Sequence, residues 1–181
     1  MMKIAMKFAK ALGRLRRDEK GAATVELVLV FPFFFAVFVS AFEVAIMNMR
    51  AVMLERATDI VVRDIRLGGG SSLDYDSILE NVCALAGIIP DCVATTRIEL
   101  QPVDTDTWAG LSASVDCIKR DEDIQPVIKF HNGIENELML MRVCSIVDPI
   151  FPTVGVGRSM PLDSSGGYQI IASTAFVNEP N

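Results

Sequence analysis

Lys20-Gly21-Ala22-Ala23-Thr24-Val25-Glu26 stands between a basic leader and a long apolar run, and its reading decides the fold of the segments around it. The residues before it read as a cytoplasmic leader, and those after it as one membrane-anchored helix carrying an exported domain. Glu26 is the residue that needs explaining. A carboxylate in a membrane segment costs roughly 2.5 to 3.5 kcal/mol at a helix centre and less near an interface, so its presence points to a use.

From Ala22 to Met47 the chain is almost wholly apolar, interrupted by Thr24, Glu26, Ser40 and Glu43. That run is long enough to cross a hydrocarbon core of about 30 Å with tilt. Pro32 removes one backbone donor inside it, which predicts a kink or a loosened turn. Beyond the run, Val52, Met53, Ala57, Ile60, Val61 and Ile65 continue an apolar stripe at spacings of three and four, with Arg50, Glu55, Arg56, Asp59, Arg63 and Asp64 expected on the other faces. Gly68-Gly69-Gly70-Ser71-Ser72 then stops the helix. A helix over 22–67 would be about 69 Å long, far more than an anchor requires. Its outer half must pack against something.

Charge divides the chain in the same place. Met1 to Lys20 carries seven Lys/Arg against Asp18 and Glu19, a net of +5, so the remainder holds −11 of a chain total of −6. Basic residues before an apolar span place the N-terminus in the cytoplasm and send the rest across the inner membrane. Lys3, Lys7, Lys10, Arg14 and Arg17, interleaved with Ile4, Met6, Phe8, Leu12 and Leu15, suit a leader lying on an anionic membrane face. The acidic remainder argues against nucleic acid as a partner. With 51% hydrophobic residues and a mean hydropathy of +0.37, the apolar surplus is concentrated near one end. The 110 or so residues past the helix suffice for one small domain.

Four cysteines, Cys83, Cys92, Cys117 and Cys144, all lie past the apolar run. An even number in an exported domain suggests two disulfides. Pairing Cys83 with Cys92 would staple a short loop, and Cys117 with Cys144 would tie two expected strands. The spacings do not suit zinc, and His131 has no matching partner. Leu73 to Ala86 reads as a short helix with Ser72 as N-cap, closed by Gly87 and Pro90. Strands are expected at 95–103, 111–118, 138–146 and 168–176, the third buried on both faces. Between them, 119–137 reads as loop, as does the Gly155 to Gly167 stretch. Four antiparallel strands against the long helix would make a small α+β domain.

No catalytic constellation emerges, and neither an enzyme activity, a cofactor, a metal nor a small-molecule substrate is expected. His131, beside Asn132-Gly133, reads as a loop residue; Met139 and Met141 read as sheet packing. Trp108 could be an exposed recognition aromatic, but a core or turn-anchoring place is the commoner fate of a lone Trp and is the one expected. Processing is the chemistry that the sequence suggests. Cleavage between Gly21 and Ala22 would use a residue whose lack of a side chain lets the backbone enter an extended cleft. It would create an amine on Ala22, one helical turn from Glu26 and on the same face. An ammonium and a carboxylate, each costly in an apolar medium, become tolerable when paired within a chain or between subunits.

The segment Glu19-Lys20-Gly21-Ala22-Ala23-Thr24-Val25-Glu26-Leu27-Val28-Leu29-Val30-Phe31-Pro32 resembles the N-terminal signature of the TadE/TadG-like pseudopilins, minor pilins of the tight-adherence (Tad, or Flp) pilus. That resemblance implies cleavage after Gly21 by a membrane-embedded prepilin peptidase, with Glu26 as the fifth-position glutamate of the mature chain. It also implies companion pseudopilins and a pilus assembly platform as partners, and a type IV pilus-like role in adhesion. The ending Ser173-Thr174-Ala175-Phe176-Val177-Asn178-Glu179-Pro180 is similar to the Asn-Glu-Pro close common in these proteins. Leu27 stands where major Flp pilins carry an aromatic, and the ectodomain is far too large for a major subunit. Both features favour a minor component.

The expected organisation is a leader over 1–21, a long helix over 22–67 (transmembrane to 47, amphipathic beyond) and an α+β domain over 68–181, pilin-like overall. Two simpler readings compete. Val39-Ser40-Ala41 could serve signal peptidase and release a soluble domain from Phe42, though the apolar run exceeds the 7 to 15 residues typical of such a signal. Alternatively the chain is an uncleaved single-pass anchor for a periplasmic binding or sensor domain, with Gly21 incidental and Glu26 snorkelling to the headgroups.

Overall fold

A computed structural model describes residues 22–68, 74–108 and 115–179. Helix α1 spans Ala22–Gly68, 47 residues, and continues without a break across Pro32. Residues 69–73, including the expected cap Ser72, lie outside the described residues. Helix α2, Tyr75–Ala86, is capped instead by Asp74, whose carboxylate accepts the Ser77 N–H at 3.3 Å. Gly87 closes it in a positive-φ conformation (φ 57°), donating to the Cys83 carbonyl at 3.1 Å. A single turn, α3 (Cys92–Thr95), leads into strand β1 (Thr96–Pro102). Strands β2 (Leu138–Val147) and β3 (Tyr168–Val177) complete an antiparallel sheet of order β1-β2-β3, with a 3-10 turn at Gly155–Ser159 between them.

Three strands are found among the described residues where four were expected. Residues 115–118 have no strand conformation, and 111–114 lie outside the described residues. Cys117 nonetheless bonds Cys144, and Cys83 bonds Cys92, the expected pairing in both cases. The second bond therefore ties a loop to β2 rather than strand to strand. Loop residues around it cover the outer face of β1 and β2, where Val115 and Ile118 pack on Ile146 and the disulfide. This is why β2 is buried on both faces and does not alternate.

The inner face of the sheet is set by register. Ile98 and Leu100 pair with Val143 and Met141, which pair in turn with Ala172 and Thr174. All of these but Thr174 join Met139, Ile170 and Phe176 in one core with α1 and α2, so Met139 and Met141 are sheet packing. Helix α1 contributes Leu54, Ala57, Val61, Val62 and Ile65 to that core, α2 contributes Ile78, Leu79 and Val82. The outer half of α1 is thus part of the α+β unit. Its buried stripe is rotated from the expected one: Leu54, Thr58 and Val62 turn inward while Val52 is 60% exposed. Thr58 can be buried because its hydroxyl donates to the Leu54 carbonyl within the helix, at 2.8 Å.

Trp108 is at a turn and not in the core. Its N–H closes the turn begun by Asp104, at 2.7 Å, but its side chain is 59% exposed. His131 is exposed in a loop, and its N–H donates to the Leu100 carbonyl at 2.9 Å, helping to cover the free edge of β1.

Candidate functional site

Over its first half α1 is a sleeve of exposed apolar side chains. Leu29, Phe33, Phe34 and Phe38 are among the most exposed large hydrophobics, and the most apolar window has a mean hydropathy of 2.4 with only 6% of it buried. A surface of that kind, on every side of a helix, has no aqueous rationale and fits a membrane anchor. Ala22 opens the helix and Glu26 comes one turn later, exposed between Val25 and Leu27. Gly21, the other half of the expected cleavage site, lies outside the described residues.

The sleeve ends where the domain first touches the helix. Val39 is buried, and Glu43, one turn on, is 1% exposed. Glu43 Oε1 accepts the Ile150 N–H at 3.0 Å, and Oε2 accepts the Phe151 N–H at 2.9 Å. Two turns further, Arg50 is buried as well, contrary to its expected place on an outer face. Its Nη1 donates to the Tyr168 hydroxyl at 2.9 Å and to the Asp148 carbonyl at 3.3 Å. Residues 39, 43, 50, 54, 57, 61 and 65 thus form one continuous stripe, with the charged pair Glu43 and Arg50 after Val39 and apolar residues beyond.

The loop after β2 is shaped to reach this stripe. Phe151 lies edge-on to Phe42 with ring centroids 6.2 Å apart. Gly155, at φ 61°, rests against Ser40, whose hydroxyl is turned back to the Ala36 carbonyl at 2.7 Å; a Cβ at Gly155 would collide with it. Loop and helix are therefore joined by a carboxylate clamp, a guanidinium clamp and close backbone approach. In the sequence Glu43 reads as a mere interruption of the apolar run. The usable signal is its spacing of seven from Arg50, which puts two charges on the face that continues into the apolar stripe.

A second charged group closes the outer face of the sheet. Arg142 Nη2 lies 2.6 Å from Glu99 Oε2, both side chains nearly buried, and Lys129 Nζ bridges Glu99 at 3.5 Å and Asp116 at 3.0 Å. The Asp116 hydrogen bond and charge, with that of Glu99, hold the Lys129 ammonium above its ordinary range. These groups neutralise one another across the sheet and the covering loop. Among the described residues, no group of three or more His, Cys, Asp or Glu is placed to hold a metal.

The remaining face of outer α1 is exposed among the described residues. Glu55, Arg56, Asp59 and Arg63, with Val52 and Ile60, line a shallow recess along it. Oppositely charged residues one turn apart suit a helix that meets either water or another helix.

No curated protein and no solved structure matches this chain. The likeness lies in α1: residues 21–63, about a quarter of the chain and covering Glu26, Glu43 and most of the clamped stripe, match the family model described as TadE-like protein.

Proposed function

We propose that this chain is a minor pilin, or pseudopilin, of a Tad/Flp-type pilus. In this reading it inserts in the inner membrane with its basic leader in the cytoplasm and its α+β domain in the periplasm. Prepilin peptidase cuts after Gly21, and the mature helix joins companion pseudopilins and the assembly platform. The observation that carries the reading is where the TadE-like match falls. It starts at Gly21 and runs along a helix whose first half is sleeved in exposed apolar side chains with Glu26 among them.

The mechanism rests on the groups that the helix leaves unpaired. Cleavage would give Ala22 an ammonium one turn from Glu26, and either charge can be neutralised by a neighbouring subunit as the helices pack. The sleeve supplies the packing surface, the exposed face of outer α1 a second one with alternating charges. The protein's role is non-enzymatic: the domain is displayed while the helix assembles.

The test is the N-terminal sequence and intact mass of the protein recovered from its native membrane fraction. A chain beginning at Ala22 is expected. One beginning at Phe42 would make it a secreted domain, and an uncut chain would make it a simple anchor with a periplasmic domain.

A further inference from the structure

The apolar run on α1 is too short for a bilayer unless Glu43 is hidden. Between Glu26 and Glu43 lie residues 27–42, sixteen in all, or about 24 Å of helix against a core of about 30 Å. With Glu43 discounted, the run extends to Met47 and reaches about 31 Å. The structure discounts it: Glu43 is 1% exposed and both its oxygens are bonded to the loop.

The loop that hides it is itself built for an apolar medium. Residues 149–157 include no charged side chain, and the charges of Asp148 and Arg158 stand at the two ends, both exposed. Ile150 and Val154 present exposed apolar side chains, and Phe151 between them lies edge-on to Phe42 of the α1 sleeve. Irregular backbone can enter lipid only if its polar groups are satisfied inside the protein. Of the six residues 149–154, two are prolines without an N–H. Three more have theirs bonded: Ile150 and Phe151 to Glu43, and Val154 to the Phe151 carbonyl at 3.4 Å. A carboxylate under the loop thus satisfies two donors at once while ceasing to face lipid.

We infer that the 149–157 loop is a lipid-inserted collar. It lies in the headgroup and acyl boundary of the outer leaflet, covering Glu43 and keeping α1 in the bilayer through Met47. Gly155 rests against Ser40, about 10 Å of helix below Met47, which is the depth at which interfacial elements lie. The inference rests on α1 being a membrane anchor. It adds that the domain is seated in the membrane rather than held above it, so its tilt relative to the bilayer is fixed by two attachments.

The experiment uses the full chain in phosphatidylcholine/phosphatidylglycerol vesicles, with Trp108, the only tryptophan in the sequence, replaced by Phe. Single tryptophans are introduced at three exposed positions, Ile150→Trp, Val154→Trp and Phe38→Trp, and quenched by lipids brominated either high or low on the acyl chain. Both loop tryptophans should lose at least half their emission to the high bromines and clearly less to the low ones, whereas Phe38→Trp should favour the low ones. Loop tryptophans untouched by either lipid, with Phe38→Trp still quenched, would overturn the collar and leave the anchor standing. A blue-shifted but unquenched loop tryptophan would likewise overturn it, in favour of a protein neighbour. Phe38→Trp unquenched would remove the anchor and the collar together.

Discussion

Glu26 is exposed and has no bonded partner among the described residues, whereas Glu43, seventeen residues along the same helix, is buried with an N–H on each carboxylate oxygen. The apolar side chains around them divide in the same way. Phe33 is 69% exposed, and Leu54, on the outer half, is fully buried against the sheet. One helix therefore serves two solvents. Where its partners belong to the same chain, the helix is part of a domain; where they do not, its apolar side chains stay exposed, as fits a membrane anchor.

Removing the carboxylates one at a time should break the symmetry most sharply. Glu43→Ala leaves two part-buried N–H groups without their acceptors and removes two charge-assisted hydrogen bonds, an expected loss on the order of 3 kcal/mol. Glu26→Ala in the same detergent-solubilised chain should change unfolding by less than about 0.5 kcal/mol, as for other exposed sites. Denaturant unfolding followed by circular dichroism checks both. Equal losses would mean that Glu26 has a partner within its own chain, and the contrast would be gone.

A comparable effect tests the apolar half of the comparison. Leu54→Ala opens a cavity between α1 and the sheet and should cost about 3 kcal/mol. Phe33→Ala removes a larger side chain that touches little of its own chain, and should leave the unfolding midpoint of the domain unmoved. A substantial shift for Phe33→Ala would place the membrane half inside the cooperative unit.

Much of this division is legible in the amino-acid sequence. Apolar composition over 22–47 and the glycines from Gly68 mark α1, because a helix of that kind is written in local sequence. Strands β1, β2 and β3 are legible within a residue or two, and the loop length between Cys83 and Cys92 makes their pairing a natural choice. The departures share a cause. Segment 111–118 has β-like composition, yet over 115–118 its apolar residues cover the sheet instead of joining it, and composition does not distinguish the two. The rotation of the α1 stripe is set by where α2 and β3 pack. The spacing of seven between Glu43 and Arg50 puts them on one face, but nothing near them in sequence names the partners that bury them, which lie roughly a hundred residues away. A carboxylate's role here is a matter of distant backbone, and no local window contains it.

The smallest effect extends the contrast to a third carboxylate with partners in its own chain. Asp163 opens the turn into β3: its Oδ1 accepts from the Ser165 hydroxyl at 2.8 Å, the Gly167 N–H at 2.8 Å and the Ser165 N–H at 3.0 Å. Burial pushes its carboxyl upward, but those hydrogen bonds and the nearby Arg120 charge together outweigh it and hold it below the ordinary carboxylate range. A folded value below the unfolded one means that the native state holds its proton less tightly. The stabilisation is therefore complete above about pH 4, the unfolded range, and is lost as pH falls through the folded value. Asp104, lowered by the N–H groups of Thr107 and Asp106, contributes in the same direction from an exposed turn. Asp163→Asn should thus flatten the acid side of the stability profile without steepening it at neutral pH, and Asp104→Asn should flatten it further in the double variant. An acid limb left unchanged by Asp163→Asn would mean that the hydrogen bonds to its Oδ1 do not favour the carboxylate in the folded chain, and Asp163 would leave the set of carboxylates that this chain has already paired.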